Sequence, residues 1–335
     1  MKSGITNPVL IAITVTALSL AGCKKDNTSP TALPSSQQNL VQNSDVQDAI
    51  SDKNEQEIDN TLDQLQVSNY STSSLKDALL TGTRSITVDH PDSTTFPKVI
   101  TIVYNNYKDS TATESFVKNG EIDVTVTAQP GNKQYVTRVQ TFKDFSITTD
   151  STTVTINGTR TVTRANIGYK FTALSSLRIV LTDNITADLS YAITKTGTSD
   201  SLKFTRVVEK TRKAFLHYSN SGGNSWLTIK FKNVAAKDTV TWSGSITGVD
   251  EKGDTYAKSV AAGDPVTMID YNGTPVLISG TLDLTVQETT PLAYTVTFKE
   301  DPSHPHLTLV TVTNNATGTS HSFDRRIGRK FVKWW

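Results

Sequence analysis

From Arg84 onward, apolar and polar positions alternate with a period of two. Ile122, Val124 and Val126 alternate with Asp123, Thr125 and Thr127. Val240, Trp242 and Ile246 alternate with Thr241, Ser243 and Ser245, and Leu177, Ile179 and Leu181 repeat the pattern. Successive side chains of a strand point to opposite faces, so this period describes sheet with one face to a core and one to water. Turn chemistry punctuates it at Pro130-Gly131-Asn132, Asn157-Gly158, Asp183-Asn184, Gly222-Gly223-Asn224, Lys252-Gly253, Asn272-Gly273 and Thr317-Gly318. Asn-Gly between alternating runs is the strongest short-range hairpin signal. The spacing predicts roughly 18–20 short strands. The expected fold class is all-β: an antiparallel multi-stranded sandwich or an elongated curved sheet.

One helix is expected ahead of the strands, over residues 44–67. Ser44 supplies an N-cap and Gln47 its capping-box partner. Val46, Ile50, Ile58, Leu62 and Leu65 fall on one stripe, interrupted by Asn54. Asp45, Asp48, Asp52, Glu55, Glu57, Asp59 and Asp63 face elsewhere, against a single Lys53. A solvated face is the plain account of these carboxylates, and no EF-hand spacing argues for calcium. Residues 23–43 are rich in Ser, Thr, Pro, Gln and Asn and predict a tether.

The first residues predict an address. Lys2 precedes an apolar run over residues 9–20, broken by Thr14, Thr16 and Ser19. The run is short for a membrane span and suits a signal peptide. Leu20-Ala21-Gly22-Cys23 then resembles the lipobox of bacterial lipoproteins. The resemblance implies cleavage after residue 22, lipidation of Cys23, and membrane attachment by its acyl chains. Lys24-Lys25-Asp26-Asn27 is similar to the charged export signals of Bacteroidota lipoproteins, although those are usually more acidic. It implies the outer membrane, with the leaflet left open.

The expected organisation is therefore a signal peptide (1–22), a tether (23–43), an acidic helix with linker (44–80), and β-units at 81–219 and 220–335. One continuous β-domain is the alternative. The two-unit division rests on an echo: Gly120-Glu-Ile-Asp-Val-Thr-Val126 followed by Val139-Gln-Thr-Phe-Lys-Asp144 is similar to Gly280-Thr-Leu-Asp-Leu-Thr-Val286 followed by Val296-Thr-Phe-Lys-Glu300. The lipobox and acidic helix occur here with Phe96-Pro97-Lys98-Val-Ile-Thr-Ile-Val103, Asn119-Gly120-Glu-Ile-Asp-Val-Thr-Val126 and Asn157-Gly158-Thr-Arg-Thr-Val-Thr163. Together they resemble β-rich lipoproteins of Bacteroidota. That resemblance implies an envelope location and lends no catalytic residue.

Composition narrows the function classes. The chain has 335 residues, 53 of them threonine, and a net charge of +1, so no general attraction to nucleic acid is implied. A single cysteine excludes a disulfide framework, CxxC redox chemistry and cysteine zinc sites. His304-Pro-His306 has only Asp301 near it in sequence, too few ligands for a metal. No G-x-S-x-G elbow or Gly-rich phosphate loop occurs. No enzyme activity, cofactor or metal is expected.

Two surface features suggest binding. Trp226 lies on the polar side of an alternating run and could stack on a sugar ring, or cover a strand end. Arg325, Arg326, Arg329, Lys330 and Lys333 are interleaved with Phe331, Trp334 and Trp335. Such a segment suits lipid headgroups, lipopolysaccharide phosphates or acidic glycans, or forms a closing strand with outward cations. Ser93, Ser110, Ser151, Ser201 and Thr239 each follow an aspartate. These pairs resemble the acceptor sequence of Bacteroidota O-glycosylation. The expected function is an outer-membrane lipoprotein with a non-enzymatic binding or scaffolding body for a glycan or envelope component. The alternatives are an amphipath carrier with a partly open apolar face and a divergent glycan-active enzyme.

Overall fold

In the computed structural model the described residues are 82–90, 95–110, 115–129, 132–149, 152–172, 176–195, 201–217, 239–250, 252–271, 274–288 and 290–325. They form β1 (Thr83–Val88), β2 (Lys98–Ser110), β3 (Ser115–Gln129), β4 (Asn132–Thr148), β5 (Thr152–Thr172), β6 (Ser176–Lys195), β7 (Ser201–His217), β8 (Thr239–Val249), β9 (Thr255–Val260), β10 (Val266–Tyr271), β11 (Thr274–Ser279), β12 (Thr281–Gln287), β13 (Leu292–Glu300), β14 (Thr308–Asn314) and β15 (Ser320–Arg325). Among the described residues there is no helix. The expected acidic helix, the tether, and the leader with Cys23 lie outside them.

All fifteen strands join one antiparallel sheet, ordered β1 through β9, then β12 through β15. Pairing each strand with the next along the chain is the simplest route, and most connections are short, residues 218–238 being the long one. The departure from it is the β10–β11 hairpin. β8 offers residues 244–249 to β9 and residues 239–242 to β10, so its edge is divided between two partners. β9 then pairs with β12. β7 and β8 pair from Thr205↔Val249 to Phe215↔Thr239, so strands on either side of residues 219–224 share the sheet.

In most strands alternate residues are buried, and the buried ones align across the ladder. Ile102, Ile122 and Phe142 are cross-strand partners on β2, β3 and β4. Tyr256 and Val286 continue the same face on β9 and β12. A contiguous cluster on this face runs from Ile86 to Val312. At about 25 cal/mol per Å2 of apolar area, its burial is the main favourable term of the fold.

A repeated bulge shapes the first half. Gly120 on β3 and Gly158 on β5 have φ of 94° and 119°, which favour glycine. A Cβ on either would lie 2.2 Å from a neighbouring backbone oxygen, that of Asp144 or Asp188. Asn106 and Asp144 both have φ of 47°. Their amides donate to Asn119 Oδ1 at 2.8 Å and to Asn157 Oδ1 at 2.7 Å. Gly82, Gly120 and Gly158 are spaced 38 residues apart, as are Asn106 and Asp144, and Asn119 and Asn157. Tyr104, Tyr107, Phe142 and Phe145 pack beside these bulges, with ring centroids 5.5–6.2 Å apart.

Two expected turns are corrected. Asn157-Gly158 lies within β5 and Asp183-Asn184 within β6. The first is a strand bulge, which needs the same positive φ as a hairpin turn. The second is held in the ladder because Asp183 is paired from both neighbouring strands. Lys252-Gly253 and Thr317-Gly318 do form turns, closed by Gly253 N–H to Asp250 O and Gly318 N–H to Asn314 O.

Candidate functional site

On the buried face of β2 to β9, basic side chains occupy positions that alternation assigns to apolar ones. One cross-strand row runs Lys98, Val126, Arg138, Val162, Ile185, Lys210. The next runs Gln140, Arg160, Ala187, Val208, Ile246, Lys258. Another runs Arg164, Asp183, Arg212, Trp242. Arg206, Lys118 and Arg84 lie on the same face, opposite Leu189, Ile147 and Tyr104. Lys98, Lys118, Arg138, Arg160, Arg164, Arg206 and Lys258 are each no more than 3% exposed.

Against these ten cations, Asp183 is the one carboxylate on the buried face among the side chains described in these strands. Arg164 grips it in a fork, Nε to Oδ1 at 2.6 Å and Nη2 to Oδ2 at 3.0 Å. Arg212 Nη2 adds a third bond at 2.8 Å. Burial alone would raise the Asp183 pKa, but Arg164 and then Arg212 outweigh it and hold the carboxyl at about 2. Asp183 is thus held in its charged form.

Aromatic faces and main-chain oxygens solvate other cations. Lys118 Nζ lies 5.9 Å from the Tyr104 ring centroid and Lys210 Nζ 5.5 Å from that of Trp242. Lys98 Nζ donates to His90 O at 2.7 Å. Gln140 is fully buried, and neither atom of its side-chain amide has a hydrogen-bond partner. A buried amide left unpaired is costly, on the order of 1–3 kcal/mol, and marks a place for a polar group. Chemically this face is mixed: buried cations sit among apolar side chains of the same ladder.

A second cluster lies toward the last strands of the sheet, after β13 and on β15. Asp301, His304 and Asp324 can each bring a ligand atom to within 4.8 Å of the others. The sequence pattern missed Asp324 because it arrives on β15, opposite Leu309. Asp301 is already engaged, however. Ser303 N–H donates to its Oδ1 at 2.8 Å, and His304 Nδ1 lies 2.7 Å from its Oδ2. Burial would raise the Asp301 pKa, and these hydrogen bonds lower it overall. The cluster is a self-capped loop.

The residues singled out from sequence are dispersed. Arg325 ends β15 opposite Thr308. Cys23, Trp226, Arg326, Arg329, Lys330, Lys333, Trp334 and Trp335 lie outside the described residues, as do Ser93 and Ser151. Ser110 closes β2, while Ser201 opens β7 and Thr239 opens β8. The structure brings none of these described residues together in one site. Comparison with protein-family models, curated proteins and solved structures gives no match. The site therefore rests on its own chemistry.

Proposed function

We propose that the chain is a lipid-anchored, non-enzymatic binding or scaffolding protein of the outer membrane, attached through Cys23. Its β-sheet body takes a glycan or another polar envelope component. The observation that carries this reading is the closure of the apolar face. Ile122, Val124, Val126, Val240 and Ile246 are at most 5% exposed, and among the described residues Val207 is the exposed large hydrophobic, at 44%. An amphipath carrier needs an apolar face that acyl chains can reach, so closure favours polar recognition at the outer surface. A glycan-active enzyme needs a carboxyl that exchanges its proton near neutral pH. The low pKa of Asp183 makes it a poor general acid.

The test uses the full chain in detergent. It is expected to bind immobilised lipopolysaccharide, and to lose that binding on deletion of residues 329–335 or on Trp226→Ala with the fold retained. It should not take up a fluorescent fatty acid. Stoichiometric fatty-acid uptake without lipopolysaccharide binding would replace this reading with the carrier. In cells, Cys23→Ala should abolish palmitate labelling and membrane retention.

A further inference from the structure

We infer that Asp301, His304, His306 and Asp324 form a binding site for a divalent transition-metal ion of the zinc type, which ties the β13–β14 loop to β15. The donors come from two separate elements. Asp301, His304 and His306 lie in the loop between β13 and β14, and Asp324 lies near the end of β15. Ligand atoms of Asp301, His304 and Asp324 all lie within 4.8 Å of one another. With metal–ligand bonds of about 2.0–2.2 Å, two donors on one tetrahedral ion stand roughly 3.4 Å apart. The three groups therefore need only a small side-chain adjustment to share an ion.

The donor chemistry selects the ion. His304 and His306 bring two imidazoles, with ring centroids 6.2 Å apart and planes at 86°. Two imidazoles on one tetrahedral ion hold their centroids roughly 5 Å apart, so these rings already stand near ligating separation. Mixed nitrogen and oxygen donors suit zinc and its neighbours, whereas calcium and magnesium take oxygen donors. His306 is the donor that the sequence pattern already offered, and Asp324 is the one that only the fold delivers. Pro302 and Pro305 alternate with the ligands and fix φ at their positions, which lowers the entropy lost when the loop closes on an ion.

The hydrogen bonds that cap the loop prepare this site and do not fill it. Ser303 N–H uses one lone pair of Asp301 Oδ1, at 2.8 Å. Asp301 Oδ2 lies 2.7 Å from His304 Nδ1, so one proton sits between them. A divalent ion takes the place of that proton, which leaves to solvent. Burial raises the Asp301 pKa, and the hydrogen bonds from Ser303 and His304 outweigh it, so the carboxyl is ionised at neutral pH. Asp301 is buried and anchors the site, while His304, His306 and Asp324 are exposed and open to an arriving ion. An ion held in the folded state alone stabilises it by mass action.

The test uses the full chain, stripped of metal with a chelator and titrated with zinc alone at pH 7. A single equivalent is expected to bind at micromolar affinity or tighter, with release of a proton. At about a hundred-fold excess over Kd the melting temperature should rise by several degrees. Cobalt in place of zinc should give the intense visible absorption of a tetrahedral site. Asp324→Asn and His304→Gln should each weaken binding by at least about tenfold. His90→Gln, a change at an exposed histidine after β1, should leave it unaltered. If either cluster variant does not fold, His306→Gln in the exposed loop replaces it with the same expectation. Zinc affinity weaker than about 100 μM would overturn the inference. So would an affinity that the cluster variants leave unchanged, or that His90→Gln lowers as much as they do.

Discussion

The strands β4 to β7 and the strands β12 to β15 belong to one sheet but hold their buried face by different means. The first set has 17–21 residues per strand, the second 6–9. On β12 to β14 the buried positions are Leu282, Leu284 and Val286, then Tyr294, Val296 and Phe298, then Val310 and Val312 after Thr308. That face coheres mainly by apolar burial, with buried Thr308 Oγ1 accepting from Leu277 N–H at 3.0 Å. On β4 to β7 the buried positions include Arg138, Gln140, Arg160, Arg164, Asp183 and Arg206. Here neighbouring strands also supply specific partners, as Arg164 and Arg212 do for Asp183, so the face depends on charge pairing as well as on apolar burial. A large sheet can therefore contain one region tolerant of any apolar residue of similar volume and another that tolerates few changes.

The sharpest way to break this contrast is Asp183→Asn. It keeps the shape and removes the charge that Arg164 and Arg212 share. Leaving two cations buried beside a neutral amide is expected to cost about 3–5 kcal/mol, read by denaturant unfolding. Replacing Arg164 and Arg212 by Met in the same variant should recover most of that loss. A single variant within about 1 kcal/mol of the parent would mean that the pairing is dispensable, and the contrast would fail.

Acid separates the regions next. The Asp183 pKa is depressed from its ordinary 3.8 to about 2. A carboxyl depressed by folding stabilises fully above its unfolded value, and that stability is lost as pH falls through the folded value. Between about pH 4 and pH 2 the parent should therefore lose about 2 kcal/mol more than Asp183→Asn does. Asp123 and Asp301 are also depressed, so both proteins weaken in acid and the difference is the diagnostic. Equal acid slopes in unfolding titrations would show that Asp183 is not held in its charged form.

The same contrast explains what could be read from the chain. Alternation identified the all-β class, and placed Ile122, Val124, Val126, Val240 and Ile246 on the core side, because apolar residues at period two have one efficient arrangement. It did not single out Arg160, Arg164 or Arg206, since a cation in an alternating run ordinarily points to water. Asp183-Asn184 resembled a turn because the partners that bury Asp183 are 19 and 29 residues away, and no local pattern reports them. Asn157-Gly158 resembled a turn because a bulge and a hairpin require the same backbone conformation. Strands with such interior residues look shorter than they are, so β5 and β6 were divided at the points where they are most constrained. The echo between residues 120–126 and 280–286 was legible because both follow a positive-φ glycine and bury the same three positions.

The smallest expected effects lie on the opposite face, where the two regions should behave alike. Thr137 and Thr163 oppose each other on β4 and β5, with hydroxyls 3.2 Å apart. Thr311 and Ser322 do the same on β14 and β15, at 2.8 Å. Both pairs sit away from the core, and valine keeps the β-branched shape that a strand favours. Thr163→Val and Thr311→Val should therefore each change stability by less than about 1 kcal/mol, and by similar amounts. Matched small values would confine the difference between the regions to their buried faces. A much larger loss for Thr163→Val would mean that the outer face of the long strands is itself covered by another part of the chain. The charge pairing on the inner face would then no longer account for the contrast by itself.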